Sequence, residues 1–307
     1  MKKTISAAAF FLLFGITLYA QHLVGYWQNW GGTNYLSLDQ INPLYDVVNI
    51  SFAVPVSGST YQMTFTPCCG DTPSSFRAKI QTLQAAGHIV NISIGGGGTS
   101  VVLHNTNERD VFVSSMNTML QYYGFDGIDI DIEGSLSVTN GSSILNPVDA
   151  NVIHLIDAIE QLQVDYLAFF SKDMFLGMAP ETANCVGGQS NYTGAWGSYL
   201  PLIEAFRNDL DLVYPQIYNS GSMYALGGTD YNVGTPDFLI SQIEKMIQGF
   251  PVPGAAEGSF AGLPASKVGV GLPACNYDIY SGYMSVQDVA ASINYLMGSG
   301  PKPVLIP

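Results

Sequence analysis

Residues 124–134 read GFDGIDIDIEG and hold four carboxylates within eight positions, although only 11% of the chain is charged. Along a β-strand, successive side chains point to opposite faces. The alternation therefore separates an apolar set from an acidic set, namely Ile128, Ile130 and Ile132 on one face and Asp129, Asp131 and Glu133 on the other. The pattern predicts a strand whose isoleucines pack in a core and whose acids face a site.

The rest of the chain alternates short apolar segments with helical patterns. Segments rich in β-branched residues predict strands at 22–27, 46–54, 88–96, 125–133, 174–181, 211–219 and 267–274. Helical patterns lie at 74–87, 148–163 and 235–250, the last with Thr235 as its N-cap and Pro236 in its first turn. Strands this apolar are typical of a parallel sheet covered on both faces. Because no dinucleotide-binding fingerprint follows the first strand, the units predict an α/β fold of the (β/α)8 TIM barrel type.

The two ends of the chain differ from this repeating pattern. Residues 1–20 combine paired lysines, an apolar segment and a small Ala20, which is the layout of a secretory signal peptide. Residues 21–307 then form one barrel domain, since no linker or repeat divides them. A helical pattern at 285–300 is followed only by KPVLIP at 302–307. We therefore expect an incomplete eighth strand: either KPVLIP is a shortened strand, or the chain is truncated at its C-terminus, which is the interpretation we favour.

Charge and cysteine content narrow the class of function. A formal net charge of −14 disfavours nucleic acid and anionic membranes as partners. The signal peptide indicates a secreted protein, and we expect a monomer without membrane partners. The cysteines lack the spacing of a zinc site, and neither a metal nor a cofactor is predicted. We do not expect the adjacent Cys68 and Cys69 to be bonded to each other, because such a bond is strained.

The acidic face suits general acid catalysis. Same-face positions on a strand are about 6.5–7 Å apart, so three carboxylates in a row cannot all ionise easily. At least one pKa should be raised, which keeps a carboxylic acid protonated near neutral pH. Two other interpretations are weaker. A calcium loop beginning at Asp129 needs an acid at its twelfth position, where Asn140 stands, and an exposed acidic strand does not suit such apolar neighbours.

FDGIDIDIE at 125–133 resembles the D-G-x-D-x-D-x-E signature of glycoside hydrolase family 18, the chitinases. Four more segments resemble the family's first, third, fifth and sixth strands: YWQNW at 26–30, SIGG at 93–96, MAPE at 178–181 and PQIYN at 215–219. The resemblance implies a secreted chitinase that cuts β-1,4-N-acetylglucosamine linkages. An endo-β-N-acetylglucosaminidase acting on N-glycans and a non-catalytic chitin-binding relative are the alternatives.

The family's reaction is substrate-assisted, because the 2-acetamido oxygen of the sugar replaces a protein nucleophile. The resemblance implies Glu133 as the general acid, Asp131 as the group that orients the acetamido N–H, and Asp129 as the partner with which Asp131 shares a proton or charge. Tyr218 would donate a hydrogen bond to the acetamido carbonyl. The residues implied in substrate binding are Tyr26, Phe52, Gly95, Gly96, Met178, Gln216 and Asn219.

Other residues have less specific predictions. The strand parity of Asp126 is opposite to that of the three acids, so we expect a structural residue of the outer layer. Glu181 is expected to be structural or to lie at the rim. Trp27, Trp30 and Trp196 are candidates for stacking on sugars, with one of them as likely to lie in the core. The eighth-strand tryptophan usual in the family has no counterpart, because Trp196 is the last in the chain.

Overall fold

A curled, largely parallel sheet forms the centre of the protein. The computed structural model describes residues 22–32, 35–276 and 279–303. The strands of this sheet are β1 (Val24–Gln28), β2 (Val47–Pro55), β3 (Met63–Thr64), β4 (Ile89–Gly95), β5 (Gly127–Asp131), β6 (Phe175–Met178) and β7 (Leu212–Val213). Their order is β1-β2-β4-β5-β6-β7, all parallel, with β3 added antiparallel to β2.

Beyond β7, the sheet continues as isolated parallel bridges. Val213 pairs with Val268, and Gln216 pairs with both Glu181 and Gly271. The predicted strands at 211–219 and 267–274 are therefore present as short or broken pairings. Within the described ranges, the parallel strands curl into a half-barrel, which confirms the predicted barrel with an incomplete eighth strand. Of the predicted stub, residues 301–303 form no strand and residues 304–307 lie outside the described residues, as does the predicted signal peptide.

Helices follow most of the strands and cover the outside of the sheet. They are α1 (Pro73–Ala85), α2 (Thr106–Tyr123), α3 (Ala150–Phe170), α4 (Leu200–Ala205), α5 (Pro236–Gln248) and α6 (Val286–Leu296). The Thr235 side chain accepts a hydrogen bond from the Phe238 N–H, and this confirms the predicted N-cap of α5. No helix in the described part of the chain has the length and apolarity needed to cross a membrane.

Three features were not foreseen from the sequence. The first is α2, which begins at the N-cap Asn105 and ends before Gly124 in the left-handed conformation. The second is a pair of antiparallel hairpins, formed by β8 (Met223–Tyr224) with β9 (Asp230–Tyr231) and by β10 (Gly249–Pro251) with β11 (Ser259–Ala261). The third is the Cys68–Cys69 disulfide, which corrects our expectation. Cys69 adopts a φ of 62° inside a turn closed by Asp71 N–H on Cys68 C=O, and this unusual backbone accommodates the adjacent pair.

The strand carrying the acids separates two different layers. Ile128 and Ile130 are fully buried and Ile132 is 1% exposed, all within the main hydrophobic core. Burial of each such side chain stabilises the fold by about 1.5–3 kcal/mol. The opposite, inner layer of the curled sheet is polar, because Asn49, Asn91, Ser93 and Asp129 are all buried there. Polar residues in this position require hydrogen-bond partners, and the site supplies them.

Candidate active site

The three acids lie at the carboxyl end of β5 with graded exposure. Asp129 is fully buried, Asp131 is 6% exposed and Glu133 is partly exposed. Ser93 of β4 and Gly177 of β6 stand beside Asp129 in register, and Gly95 stands beside Asp131. The row therefore rises from the interior of the sheet to its mouth, where active sites of barrels are found.

Asp129 accepts hydrogen bonds from three hydroxyl groups. Tyr26 and Ser93 each donate to Oδ2 at 2.7 Å, and Tyr214 donates to Oδ1. The Tyr214 oxygen in turn accepts a hydrogen bond from Asn49 Nδ2 at 2.7 Å. The three donors come from β1, β4 and the segment after β7, so Asp129 is fixed at the point where the curled strands converge.

Gln216 connects the other two acids. Its Nε2 lies 2.8 Å from Asp131 Oδ1 and 3.1 Å from Glu133 Oε1, and also 3.0 Å from the Ala179 carbonyl oxygen. An amide nitrogen has two protons, so these three acceptors share them. Gln216 was predicted to line a sugar subsite, and its side chain lies at the carboxylates themselves.

Burial is the main reason why the pKa values of the three acids are raised. It raises the pKa of Asp131 well above the ordinary value, and the negative charges of Asp129, Glu133 and Glu181 add to this effect. Burial also raises the pKa of Glu133, which the Gln216 hydrogen bond partly offsets and the Glu181 charge reinforces. For Asp129, burial raises the pKa against the opposing effect of its three hydroxyl donors. The predicted raised pKa is thus found, although burial rather than mutual repulsion is its largest cause.

Glycines allow the end of β4 to approach the acids closely. Gly95 has a φ of +112°, and a Cβ added to it would lie 2.3 Å from the Asp131 carbonyl oxygen. The Gly96 N–H donates to that same oxygen at 2.8 Å. A Cβ on Gly96 would meet the Phe52 ring at 2.7 Å. These glycines therefore shape the wall of the site through backbone packing.

The two predicted site residues after β7 have different surroundings. Tyr218 is partly buried, and burial together with the charges of Asp131, Glu133 and Glu181 raises its pKa. Asn219 has a φ of 48°, and its Oδ1 accepts the Tyr280 N–H at 2.7 Å. Tyr218 is thus beside the acids, whereas the Asn219 side chain holds the backbone of residues 280 and 281.

Aromatic rings border the mouth near β1 and β2. The Trp30 ring, in a residue 48% exposed, stacks on Phe52 with centroids 6.4 Å apart and an interplanar angle of 20°. The Phe52 ring also contacts the Tyr26 ring, with the two ring centroids 6.3 Å apart. Trp196 is 37% exposed, whereas Trp27 is buried in the core and donates Nε1–H to the Leu36 carbonyl at 2.8 Å.

Met178 is not brought to the carboxylates. It pairs in register with Ile130 and is fully buried in the main core, so its side chain belongs to the outer layer with the isoleucines. The parity of β6 explains this placement, since Gly177 rather than Met178 stands beside Asp129. Glu181 is partly exposed and accepts a hydrogen bond from Asn184 at 3.1 Å.

Four residues that hold the site were not predicted from the sequence, namely Asn49, Ser93, Tyr199 and Tyr214. The Tyr199 hydroxyl accepts the Ile132 N–H at 2.7 Å and fixes the end of β5 from the segment before α4. Tyr214 has the same strand parity as Gln216 and Tyr218, and this signal could have identified it. No cluster of His, Cys and acidic side chains in the described ranges could hold a metal ion.

Barrel enzymes that use a carboxylic acid as proton donor include the glycosidases, and a partly exposed Glu133 with a raised pKa suits that chemistry. A comparison with known families leads to the same class. The model of glycosyl hydrolases family 18 matches residues 22–211. The chain belongs to glycosyl hydrolases family 18.

Several proteins named as chitinases are similar to this chain over most of its length. Chitinase Chi52 of Paenibacillus xylanexedens is 36% identical and chitinase D of Niallia circulans is 37% identical, each match covering 90% of this chain and 52% of the relative. The chain thus spans about half the length of these relatives. The crystal structure of a family GH18 chitinase from Chromobacterium violaceum superposes with a TM-score of 0.81 at 31% identity, covering 94% of this chain and 75% of that one.

Proposed function

We propose that this chain is a secreted, monomeric chitinase that hydrolyses β-1,4-N-acetylglucosamine linkages by substrate-assisted catalysis, with net retention at the anomeric carbon. The observation that carries the proposal is the row of three acids along β5 and just beyond its end, of which Glu133 is the most accessible and has a raised pKa. The named chitinases among its relatives support the choice of chitin as substrate.

Glu133 begins the reaction as the general acid. Its proton passes to the glycosidic oxygen while the bond from that oxygen to the anomeric carbon breaks. The 2-acetamido oxygen of the same sugar attacks the anomeric carbon and forms a cyclic oxazolinium ion. Water then attacks from the side the leaving group vacated, giving its proton to Glu133 and reopening the ring. Two inversions at one carbon give retention.

Asp131, Asp129 and Tyr218 prepare the acetamido group. Asp131 accepts the acetamido N–H and stabilises the positive charge that develops on the ring nitrogen. Asp129, held by its three hydroxyl donors, shares a proton or charge with Asp131. Tyr218 donates a hydrogen bond to the acetamido carbonyl and keeps its oxygen near the anomeric carbon.

Substrate binding involves the mouth around these acids. Tyr26 and Phe52 form an apolar floor, and Gly95 and Gly96 leave room for the sugar by omitting side chains. The exposed Trp30 ring provides a stacking surface for a neighbouring sugar. Gln216 acts through the carboxylates that it bridges.

The experiment that tests substrate assistance compares N-acetylated with fully deacetylated oligomers of the same length. We expect the purified protein to hydrolyse chitotetraose and to leave the glucosamine tetramer uncut, because only the acetylated sugar supplies the nucleophile. Proton NMR of the first product should show the β-anomer. Equal cleavage of both tetramers, or an initial α-anomer, would contradict the mechanism. Cleavage of an N-glycopeptide core instead of chitotetraose would favour the endo-β-N-acetylglucosaminidase.

A further inference from the structure

A network of hydrogen-bonded side chains crosses the interior of the sheet beneath the acids. Asn91 Nδ2 donates to Asn49 Oδ1 at 3.2 Å, Asn49 Nδ2 donates to the Tyr214 oxygen at 2.7 Å, and Tyr214 donates to Asp129. Asn49 and Asn91 are fully buried and Tyr214 is 5% exposed. These hydrogen bonds therefore connect β4, β2, the segment after β7 and β5 through side chains that are almost completely buried.

Tyr214 determines which group donates and which accepts in this network, because a phenol has a single proton to donate. Asn49 is a donor to the phenol oxygen, so the Tyr214 proton points at Asp129 Oδ1. The hydroxyl protons of Tyr26 and Ser93 occupy Oδ2. A proton on either carboxyl oxygen of Asp129 would compete with one of these donors, so the arrangement favours the ionised carboxylate.

Asp131, the next acid on the same face as Asp129, has a different set of partners. Asp131 receives a hydrogen bond from Gln216 at 2.8 Å and is otherwise close to the negative charges of Asp129, Glu133 and Glu181. We infer that Asn49 and Tyr214 are positioning residues that keep Asp129 ionised and thereby place the proton shared by the two aspartates on Asp131. The meaning for catalysis rests on the proposed function, in which Asp131 accepts the acetamido N–H and shares a proton or charge with Asp129.

The titratable groups around Asp129 come from several elements. They are Tyr26 on β1, Asp131 on β5, Tyr199 before α4 and Tyr214 after β7. In the described part of the chain, no Lys, Arg or His forms a hydrogen bond or ion pair with Asp129. The hydroxyl donors are therefore what stabilises its charge.

If these hydrogen bonds ran in the reverse direction, the opposite change in the pKa of Asp129 would be expected. If both asparagine amides were turned, Tyr214 would donate to Asn49, and Asp129 would have to carry a proton to donate to Tyr214. Removal of the Tyr214 hydroxyl would then lower the pKa of Asp129, whereas in our arrangement it raises this pKa. The sign of the change distinguishes the two.

The test is a pH titration by ¹³C NMR of protein labelled at the aspartate carboxyl carbons, with the Asp129 signal assigned by its loss in Asp129→Asn. We expect Tyr214→Phe to raise the Asp129 midpoint by about 1–2 pH units, the effect of losing one hydrogen bond to a charged group. Asn49→Leu should raise it by a smaller amount, because Tyr214 then donates without support from the amide. Asn49→Leu also gives the sign if Tyr214→Phe does not fold.

Tyr166→Phe is the matched control, since it removes a buried hydroxyl that donates to the Phe125 carbonyl at 2.9 Å, away from the acids. Its Asp129 midpoint should equal that of the wild type. A lowered or unchanged midpoint in Tyr214→Phe would overturn the inference. Hydrolysis is measured separately: in an active protein, the acidic limb of kcat/KM should move to higher pH in Tyr214→Phe. Absence of hydrolysis in the wild type would contradict the proposed function and leave the titration result standing.

Discussion

At the scale of single residues, Asp131 is the least favourably placed charge in the site. It is 6% exposed, three other carboxylates raise its pKa further, and Gln216 is its hydrogen-bond donor. A carboxyl group whose folded pKa lies above its unfolded value of about 3.9 destabilises the fold once it ionises. The native state then binds more protons than the unfolded state, so stability falls as the pH rises from about 4 through the folded pKa.

Asp131→Asn removes this ionisation while keeping an acceptor for Gln216. We expect the variant to have a free energy of unfolding about 0.5–2 kcal/mol higher than the wild type at pH 7, the range common for single stabilising substitutions. The difference should shrink as the pH is lowered through about 4 and vanish well below that value, where Asp131 is protonated in both the folded and the unfolded state. Urea unfolding at a series of pH values measures it. A variant that is less stable than the wild type at every pH would show that Asp131 is not under electrostatic strain.

Strand parity alone predicted that Asp129, Asp131 and Glu133 share a face, and the structure confirms this placement. The same reasoning predicted the outer position of Asp126. It could not find Ser93, because the register that pairs Ser93 with Asp129 on the neighbouring strand is not encoded locally. It could not find Asn49 either, because the contact of Asn49 with Tyr214, 165 positions away in the chain, depends on how far the sheet curls.

At the scale of secondary structure elements, Asp126 is the residue that connects the outer layer to the sheet. Its carboxylate accepts the Val90 N–H at 2.9 Å, the Gln84 amide at 2.9 Å and the Lys172 ammonium at 2.6 Å. These groups belong to β4, to α1 and to the turn before β6. One side chain thus fixes three elements around the start of β5.

We expect Asp126→Ala to lower the free energy of unfolding by about 1.5–3 kcal/mol, because it leaves the Val90 N–H and the Gln84 amide without their charged acceptor. The control is Asp110→Ala, since the Asp110 side chain is 64% exposed and its ion pair is with the adjacent Arg109. That variant should change the stability by less than about 0.5 kcal/mol. Guanidinium unfolding of both proteins gives the comparison, and equal losses would contradict the assigned role of Asp126.

Elements with strong local signals were predicted best. Thr235, Pro236 and the following apolar pattern located α5, whose end at Gln248 is two residues before the predicted one. In contrast, α2 contains Ser114, Ser115, Asn117 and Thr118 among its apolar positions, and this mixture weakened its helical pattern. The pairings after β7 were overestimated in length, because isolated bridges rather than a regular ladder join residues 213–216 to residues 268–271.

At the scale of the whole molecule, the described residues form a curled parallel sheet covered by helices, with the acids at its mouth. This arrangement places Glu133 where a substrate can reach it and keeps Asp129 away from water. The family 18 model matches residues 22–211, which include β1 to β6 and all three acids. We therefore expect Glu133 of this chain to act as the general acid.

The most direct test is hydrolysis of chitotetraose by the wild-type protein beside Glu133→Gln, a variant that keeps the size of the side chain and its contact with Gln216 but has no acidic proton. We predict turnover by the wild type and a loss of about 10²–10⁴-fold in kcat for the variant, the usual contribution of general acid catalysis. Equal melting temperatures would show that both are folded. A folded wild type without turnover, or a variant as active as the wild type, would contradict this role of Glu133.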